Sequence, residues 1–492
     1  MEQLYKEKHR PQFHFSPEEK WMNDPNGMVF FNDEYHLFYQ YHPFGTTWGP
    51  MHWGHAVSKD LIHWKQLPIG LYPDEHGAIF SGSAIVDWNN TSGFFQDGPG
   101  LVAIYTSADN YPDSDRPRQR QSLAYSNDNG RTWIKYEGNP ILSDVNITDY
   151  RDPKVFWHDE TNKWVMVLAT GQSVTIYTSA NLKDWEFASE FGNKAGSHEG
   201  VWECPDLFRL PVDGDKNKQK WVMFVSIGDN HDFKEGSRTQ YFVGQFDGTT
   251  FVNDNSDETI LWMDHGRDNY AGVSWSDIPA EDGKRIYIGW MSNWRYANQV
   301  PTEEWRSAMT LPRELSLTSS KEGVRLVQRV VPEINSIRKG TEVFQDLTIG
   351  KNQPAIFNLF SPLMEVNIEL KKQTSNSFGI VLQSSDDEKT VIRYDVEMEK
   401  LFVDRTEAGD NSFSESFAAV QEAFLKMENN KINLQIFIDA SSIEVFAEDG
   451  KVAFTSLIFP KKPYEQLVLF SDEGKILVSS LKLTELDSIW VK

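Results

Sequence analysis

Cysteine is nearly absent: Cys204 is the only one in 492 residues, which excludes an intrachain disulfide. Neither immediate neighbour of Cys204 is basic, so it reads as a small core-side residue rather than an activated thiol. No apolar run approaches the length of a membrane-spanning helix, so no membrane is expected as a partner. Basic residues are scarce: 48 Lys and Arg against 72 Asp and Glu leave a formal charge of −24. Binding nucleic acid or anionic lipid needs a concentrated basic face, so both are excluded. The bland consequence is a soluble, self-repelling surface. The charged opening Met1–Arg10 has no apolar core of a signal peptide. That predicts a cytoplasmic protein, or a secreted one whose leader is missing from this chain. His36, His42, His52, His55 and His63 crowd the N-terminal region without a His-x-x-x-His or HExxH spacing. There is no Gly-rich phosphate loop and no comparable Ser-His-Asp pattern, so neither a metal nor a cofactor is expected.

Long helical periods are hard to find, whereas aromatic residues make up 13% of the chain and Trp alone counts 17. That surplus fills a core and also suits stacking on the apolar faces of sugars. The length calls for two domains. Runs such as Tyr35–Tyr41, Trp164–Leu168 and Trp221–Val225 have strand composition. A loose repeat accompanies them. Ser58–Trp64 is echoed by Ser179–Trp185 and by Ser126–Trp133, with a degenerate copy at Phe246–Phe251. In each, a strand ends in a polar turn and an aromatic opens the next strand. Such spacing suits four-stranded propeller blades with insertions.

The texture changes near residue 340. Trp becomes scarce and period-2 strands appear at Leu363–Leu370 and Ile432–Ile438, with a hairpin signal from Ser442 through Glu448-Asp449-Gly450 to Phe454. Alternating strands of this length make a β-sandwich. The reading is therefore all-β: a propeller over 1–325, a connection over 326–344 with room for a short helix, and a sandwich over 345–492.

Three short acidic motifs carry chemistry. Trp21-Met22-Asn23-Asp24-Pro25-Asn26-Gly27 sets an acid between an amide and a proline among apolar side chains. Arg151-Asp152-Pro153 and Glu203-Cys204-Pro205-Asp206 follow, each stiffened by proline. Glycoside hydrolysis usually needs two carboxylates facing each other across the scissile bond. Residue chemistry alone does not assign which acid donates the proton, nor whether Asp206 tunes Glu203 or simply ends a strand.

The three motifs, with Phe80-Ser81-Gly82 and Ile288–Trp294 in the same order, resemble the β-fructofuranosidases of glycoside hydrolase family 32. The resemblance implies five blades. It implies Asp24 as nucleophile, Glu203 as acid/base and Asp152 as stabiliser of an oxocarbenium-like transition state, with Arg151 beside the acids. It places Asn23, Gln40, Trp48, Phe80, Ser81, Trp290 and, more weakly, Tyr270 around the fructosyl unit. The expected activity is a retaining, exo-acting β-fructosidase on the fructans levan and inulin and on sucrose. Alternatives are a sucrose or sucrose-6-phosphate hydrolase, for which Arg295 or Arg306 could meet the phosphate, and a fructosyltransferase. A non-catalytic fructan-binding protein would predict a damaged acid, and none is damaged. The sandwich carries no clear binding motif, which leaves it a structural role or a homodimer contact.

Overall fold

The computed structural model describes residues 4–96, 98–279 and 283–490; Met1, Glu2 and Gln3 of the charged opening stretch lie outside them. Strands dominate, and among the described residues no helix is long and apolar enough to cross a membrane. Five blades of mainly antiparallel strands surround one axis, the fourth and fifth belonging to one ten-stranded sheet. The first blade runs Lys20–Phe31, Glu34–His42, His52–Ser58 and Trp64–Leu71. The second begins with Ala78–Asp87, the third with Tyr150–His158, the fourth with Trp202–Val212 and the fifth with Tyr270–Ser274. Those five first strands are innermost. They pack in ring order, first against second and so on, with the fifth returning to the first. The fourth and fifth blades also join through a parallel pairing of Val212 with Leu317.

Each seam between blades has its own apolar filling, which explains the aromatic surplus. Phe38, Trp53 and Tyr105 fill the first seam, and Val155, Trp164 and Met166 the second. Trp202, Met223 and Phe242 fill the third, and Phe208, Phe224 and Tyr287 the fourth. The closing seam holds Met22, Met28 and Trp275 and continues into Phe437 and Phe446 of the sandwich.

The sequence repeat has a structural meaning. Its four copies are the turns between third and fourth strands of blades one, three, two and four. In each, an Asp or Asn side chain accepts backbone N–H groups just ahead: Asp60 from Ile62 and His63, Asn181 from Lys183 and Asp184. Asp128 accepts from Thr132, and Asp247 from Thr249 and Thr250. Such side-chain turns satisfy backbone donors that leave the ladder.

The connection 326–344 holds the end of the Gly323–Val330 strand, a 3-10 helix at Pro332–Ile337 and the start of the Arg338–Gly350 strand. Little of it is free chain. Beyond it, two six-stranded sheets enclose a core that includes Phe378, Ile380, Ile436, Phe454 and Leu481. The expected hairpin is present, Ser442–Ala447 pairing with Val452–Leu457.

The two domains meet through buried charge. His14 sits 2.7 Å from Asp439 and 2.8 Å from Glu444. Arg313 pairs with Asp264 at 3.0 Å and with Glu444 at 2.5 Å, and Arg405 pairs with Asp268. All of these side chains are essentially inaccessible to solvent.

Candidate active site

The five inner strands all lose register at the same end of the axis. Pairing skips between Met22 and Pro25, Ile79 and Gly82, Arg151 and Lys154, Glu203 and Asp206, and Tyr270 and Val273. A bulge adds backbone to one strand and re-aims its side chains. Asp152, Cys204 and Ala271 hold φ of 66°, 47° and 52° inside these bulges, a conformation uncommon for residues with a Cβ. Pro153 and Pro205 occupy skipped positions, where no ladder N–H is required of them, and Pro25 is the first paired residue after its bulge. The acidic motifs are thus bulge sequences. Each turns a carboxylate off its sheet toward the axis.

Asp24, Asp152 and Glu203 accordingly line one cavity of about 780 Å³, together with Asn23, Gln40, Trp48, Phe80, Ser81 and Arg151. Below the acids the axis narrows to a void of about 10 Å³ among Pro25, Gly82, Pro153, Cys204 and Pro205. The cavity is a blind pocket and not a channel.

Asp24 accepts hydrogen bonds from Ser81 Oγ at 2.7 Å and Asn23 Nδ2 at 3.0 Å. Asn23 is itself fixed by the Trp21 indole N–H at 2.7 Å. Burial and then the charge of Glu203 raise the pKa of Asp24 against these bonds. Asp152 accepts the Cys204 backbone N–H at 3.0 Å, and its own N–H donates to Thr106 Oγ1 at 2.9 Å. Burial pushes Asp152 up to about 7; Arg151 opposes the shift, while Glu203 and Asp24 add to it. Arg151 donates to Glu203 at 2.8 Å and to Asp149 at 2.6 Å, whereas its Nε lies 3.9 Å from Asp152. Burial disfavours the guanidinium charge, but Glu203, Asp152 and Asp149 outweigh it and raise its pKa. The cation expected beside the acids is there, and its short contact is with Glu203.

The second oxygen of Glu203 accepts the Tyr270 hydroxyl. Burial and Glu203 push that phenol well above its ordinary pKa, so it stays a donor. Tyr270 is fully buried and supports the acid from behind the pocket wall. Trp290 departs further from expectation. It is 0% exposed, packed among Trp21, Tyr270 and Trp294, and it does not line the cavity. Trp294, four residues on, does. Asp206 does not reach Glu203 either: it accepts from the Ser274 N–H and hydroxyl, both at 2.7 Å, and faces Lys154 at 3.5 Å.

Cys204 is the buried core residue expected of it, packed with Trp21, Tyr270 and Trp290, and it also reaches the acids. Its thiol lies 3.5 Å from Asp24 and 3.6 Å from Asp152, and burial with three nearby carboxylates keeps it protonated. Residue reading also missed the rim residues Asp109, Asn110, Gln119 and Asp149, which sit in no recognisable motif. Arg295 is held by Asp229, Asn230 and Phe233, and Arg306 by the carbonyls of Asn298, Val300 and Thr302. Neither lines the pocket. Among the described residues, no group of three or more His, Cys, Asp or Glu is arranged to hold a metal ion.

A second cavity of about 810 Å³ has Lys154, Trp157, Asp277 and Arg285 in its wall. It contains none of the three acids and offers no comparable constellation.

The chain is 53% identical to a levanase from Bacillus subtilis (strain 168) over 99% of its own length and 72% of that protein. It is 39% identical to an extracellular exo-inulinase from Aspergillus awamori, covering 99% and 96% of the two chains. The crystal structure of exo-inulinase from Aspergillus awamori superposes with a TM-score of 0.89 at 38% identity, covering 99% of this chain and all of that one. A β-fructofuranosidase from Schwanniomyces occidentalis complexed with fructosyl-erythritol superposes with a TM-score of 0.88 at 34% identity, covering 98% and 99%. Residues 14–330 match the glycosyl hydrolases family 32 N-terminal domain and residues 333–485 the family 32 C-terminal one, so the chain belongs to glycosyl hydrolase family 32.

Proposed function

We propose that this glycoside hydrolase is a retaining, exo-acting β-fructosidase that removes terminal fructosyl units from levan, inulin and sucrose. The observation that carries this reading is the convergence of Asp24, Asp152 and Glu203 in one blind pocket. Asp24, oriented by Ser81 and Asn23, attacks the anomeric carbon and forms a glycosyl ester as the leaving oxygen departs. Glu203 protonates that oxygen, then takes a proton from the water that cleaves the ester. Asp152, in its ionised form, offsets the positive charge that develops on the ring, and Arg151 and Tyr270 hold Glu203 in place.

A pocket closed at its base accepts a chain end and cannot thread a polymer. The levanase and exo-inulinase relatives support the fructan reading over a sucrose-6-phosphate one, and so does the engagement of Arg295 and Arg306 elsewhere. Chromatography of products from levan, inulin, sucrose and sucrose-6-phosphate tests the proposal. Free fructose is expected from the first minutes. A ladder of mid-sized oligosaccharides would replace the exo reading by an endo one. A strong preference for sucrose-6-phosphate would favour a phosphosucrose hydrolase, and dominant chain extension a transferase.

A further inference from the structure

Large apolar side chains in full contact with water stand out on a surface as charged as this one, and one group of them adjoins the pocket. Phe44 is 77% exposed, Tyr72 54% and Trp48 48%. Trp48, Gly49 and Pro50 form part of the pocket wall; Phe44 and Tyr72 do not. What joins them is His52. Its Nδ1 lies 3.0 Å from the Pro50 carbonyl, so the ring is fixed to the segment that walls the pocket. Phe44 meets His52 edge-on with centroids 5.8 Å apart, and Tyr72 meets it from elsewhere at 5.6 Å. His42 supports Phe44 at 6.1 Å and is held by the Thr47 carbonyl at 2.8 Å. The segment 42–52 is further tied down where Trp48 N–H donates to Asn298 at 2.9 Å and Trp21 N–H to the Gly45 carbonyl at 3.0 Å.

The result is a rigid strip of aromatic faces that begins at the pocket mouth and runs outward over blade one. Neither Phe44 nor Tyr72 fills a core, and both rings present most of their surface to solvent. A blind pocket holds only the terminal unit of a substrate, so the next residues of a long chain must emerge over this rim. Sugar rings offer apolar C–H faces to aromatic side chains.

We propose that Phe44 and Tyr72 form an outer binding strip for the emerging chain of a polymeric substrate. This inference rests on the β-fructosidase reading of the pocket and adds a binding surface outside it. Sucrose has only one sugar beyond the fructosyl unit, whereas a polymer has many that can engage the strip.

The test compares steady-state kinetics on sucrose and on long-chain inulin and levan for the wild type and for F44A, Y72A and F44A/Y72A. The double variant is expected to raise KM for the polymers about tenfold, equivalent to about 1.4 kcal/mol of lost binding. Its kcat on the polymers and both parameters on sucrose should stay within about twofold of wild type, below the free energy of one stacking contact. The ring-preserving variants F44Y and Y72F should restore polymer KM, which a merely structural role would not demand so selectively. Equal losses on sucrose and polymer, or an unchanged polymer KM in the double variant, would overturn the strip. A wild-type protein that frees fructose from neither substrate class would overturn the proposed function, and the strip with it.

Discussion

Cys204 donates its backbone N–H to Asp152 across 3.0 Å, so the fourth blade holds the acid of the third. Because the Cys204 thiol also lies 3.5 Å from Asp24, one residue of the fourth blade contacts acids of two others. Inner strands of three blades are thereby linked through the acids of the pocket. The bulges that create this arrangement carry positive φ at non-glycine residues, a cost of about 1–3 kcal/mol each that the surrounding ring of strands must offset.

Removal of either principal carboxylate should be decisive without unfolding the protein. Asp24→Asn keeps the volume and one of the two oxygens that Ser81 and Asn23 bond, but removes the proposed nucleophile. Activity should fall to a trace, while the cooperative thermal transition of a folded protein persists. Glu203→Gln removes a proton donor, so its loss should reach about 10²–10⁴-fold and be greatest for poor leaving groups. Proton NMR of the first product should show fructose released with retained configuration; initial inversion would demand a different pair of acids.

The pH dependence follows from Asp152. In the folded protein its carboxyl sits at about 7, against an ordinary 3.8. If the ionised form supports the transition state, kcat/KM should decline as pH falls through 7. Arg151 opposes the upward shift, so Arg151→Gln should move this acid limb to higher pH. It should lower the maximum as well, since Glu203 loses its 2.8 Å partner. The stability sign is opposite to that of an ion-paired acid. Between pH 3.8 and about 7 the folded state binds the extra proton, so this group's contribution to stability falls as pH rises. Asp152→Asn should therefore raise the Tm at pH 8 relative to wild type and change it little at pH 4. An acid limb that ignores Arg151 would assign the titration to another group.

The acids, the blade repeat and the change of texture near 340 were legible because each is local. A Pro beside an acid, a polar turn before an aromatic and strict alternation all declare themselves within a few residues. The misplaced residues share a different cause. Trp290 and Trp294 are equally conspicuous in sequence, yet the first lies in the fully buried strand Ile286–Met291 and the second in the turn that follows it. Strand alternation gives the facing of a side chain only while the register is unbroken, and every inner strand here is bulged. Asp206 illustrates the consequence. Three residues from Glu203 but across the bulge, it points to Ser274 and Lys154. The rim residues Asp109, Asn110, Gln119 and Asp149 come from segments with no pattern of their own, and only the ring closure brings them over the pocket.

His14 makes the domain interface sensitive to pH. Burial disfavours its charge, but Asp439 and Glu444 hold its pKa up at about 9, above the ordinary 6.5. A histidine raised on folding stabilises fully below its unfolded pKa and loses that contribution as pH rises through the folded value. The wild-type Tm should thus fall between pH 7 and 9.5. His14→Gln should lower the Tm at pH 6 and flatten this decline, and calorimetry across the range decides it. A parallel decline in both proteins would show that other groups control alkaline stability.

The pair Arg405–Asp268 ties the sandwich to the segment of the propeller that leads into Tyr270. Asp268 is fully buried and accepts from Arg405, from the Tyr296 hydroxyl at 2.5 Å and from the Leu457 N–H at 2.7 Å. Two residues later stands Tyr270, whose hydroxyl supports Glu203. Asp268→Ala leaves the Arg405 guanidinium buried without its counter-ion, a change that costs about 3–5 kcal/mol. Urea unfolding should register that loss, and kcat should fall as Tyr270 loses its anchor. Arg405→Met, with Asp268 intact, should cost a similar amount for the mirror reason. The double variant Asp268→Ala/Arg405→Met removes both charges, so it should be less destabilised than the sum of the two singles, as for residues in direct contact. Additive losses would mean that the two side chains stabilise their own domains separately, and that the sandwich has no part in holding the catalytic acid.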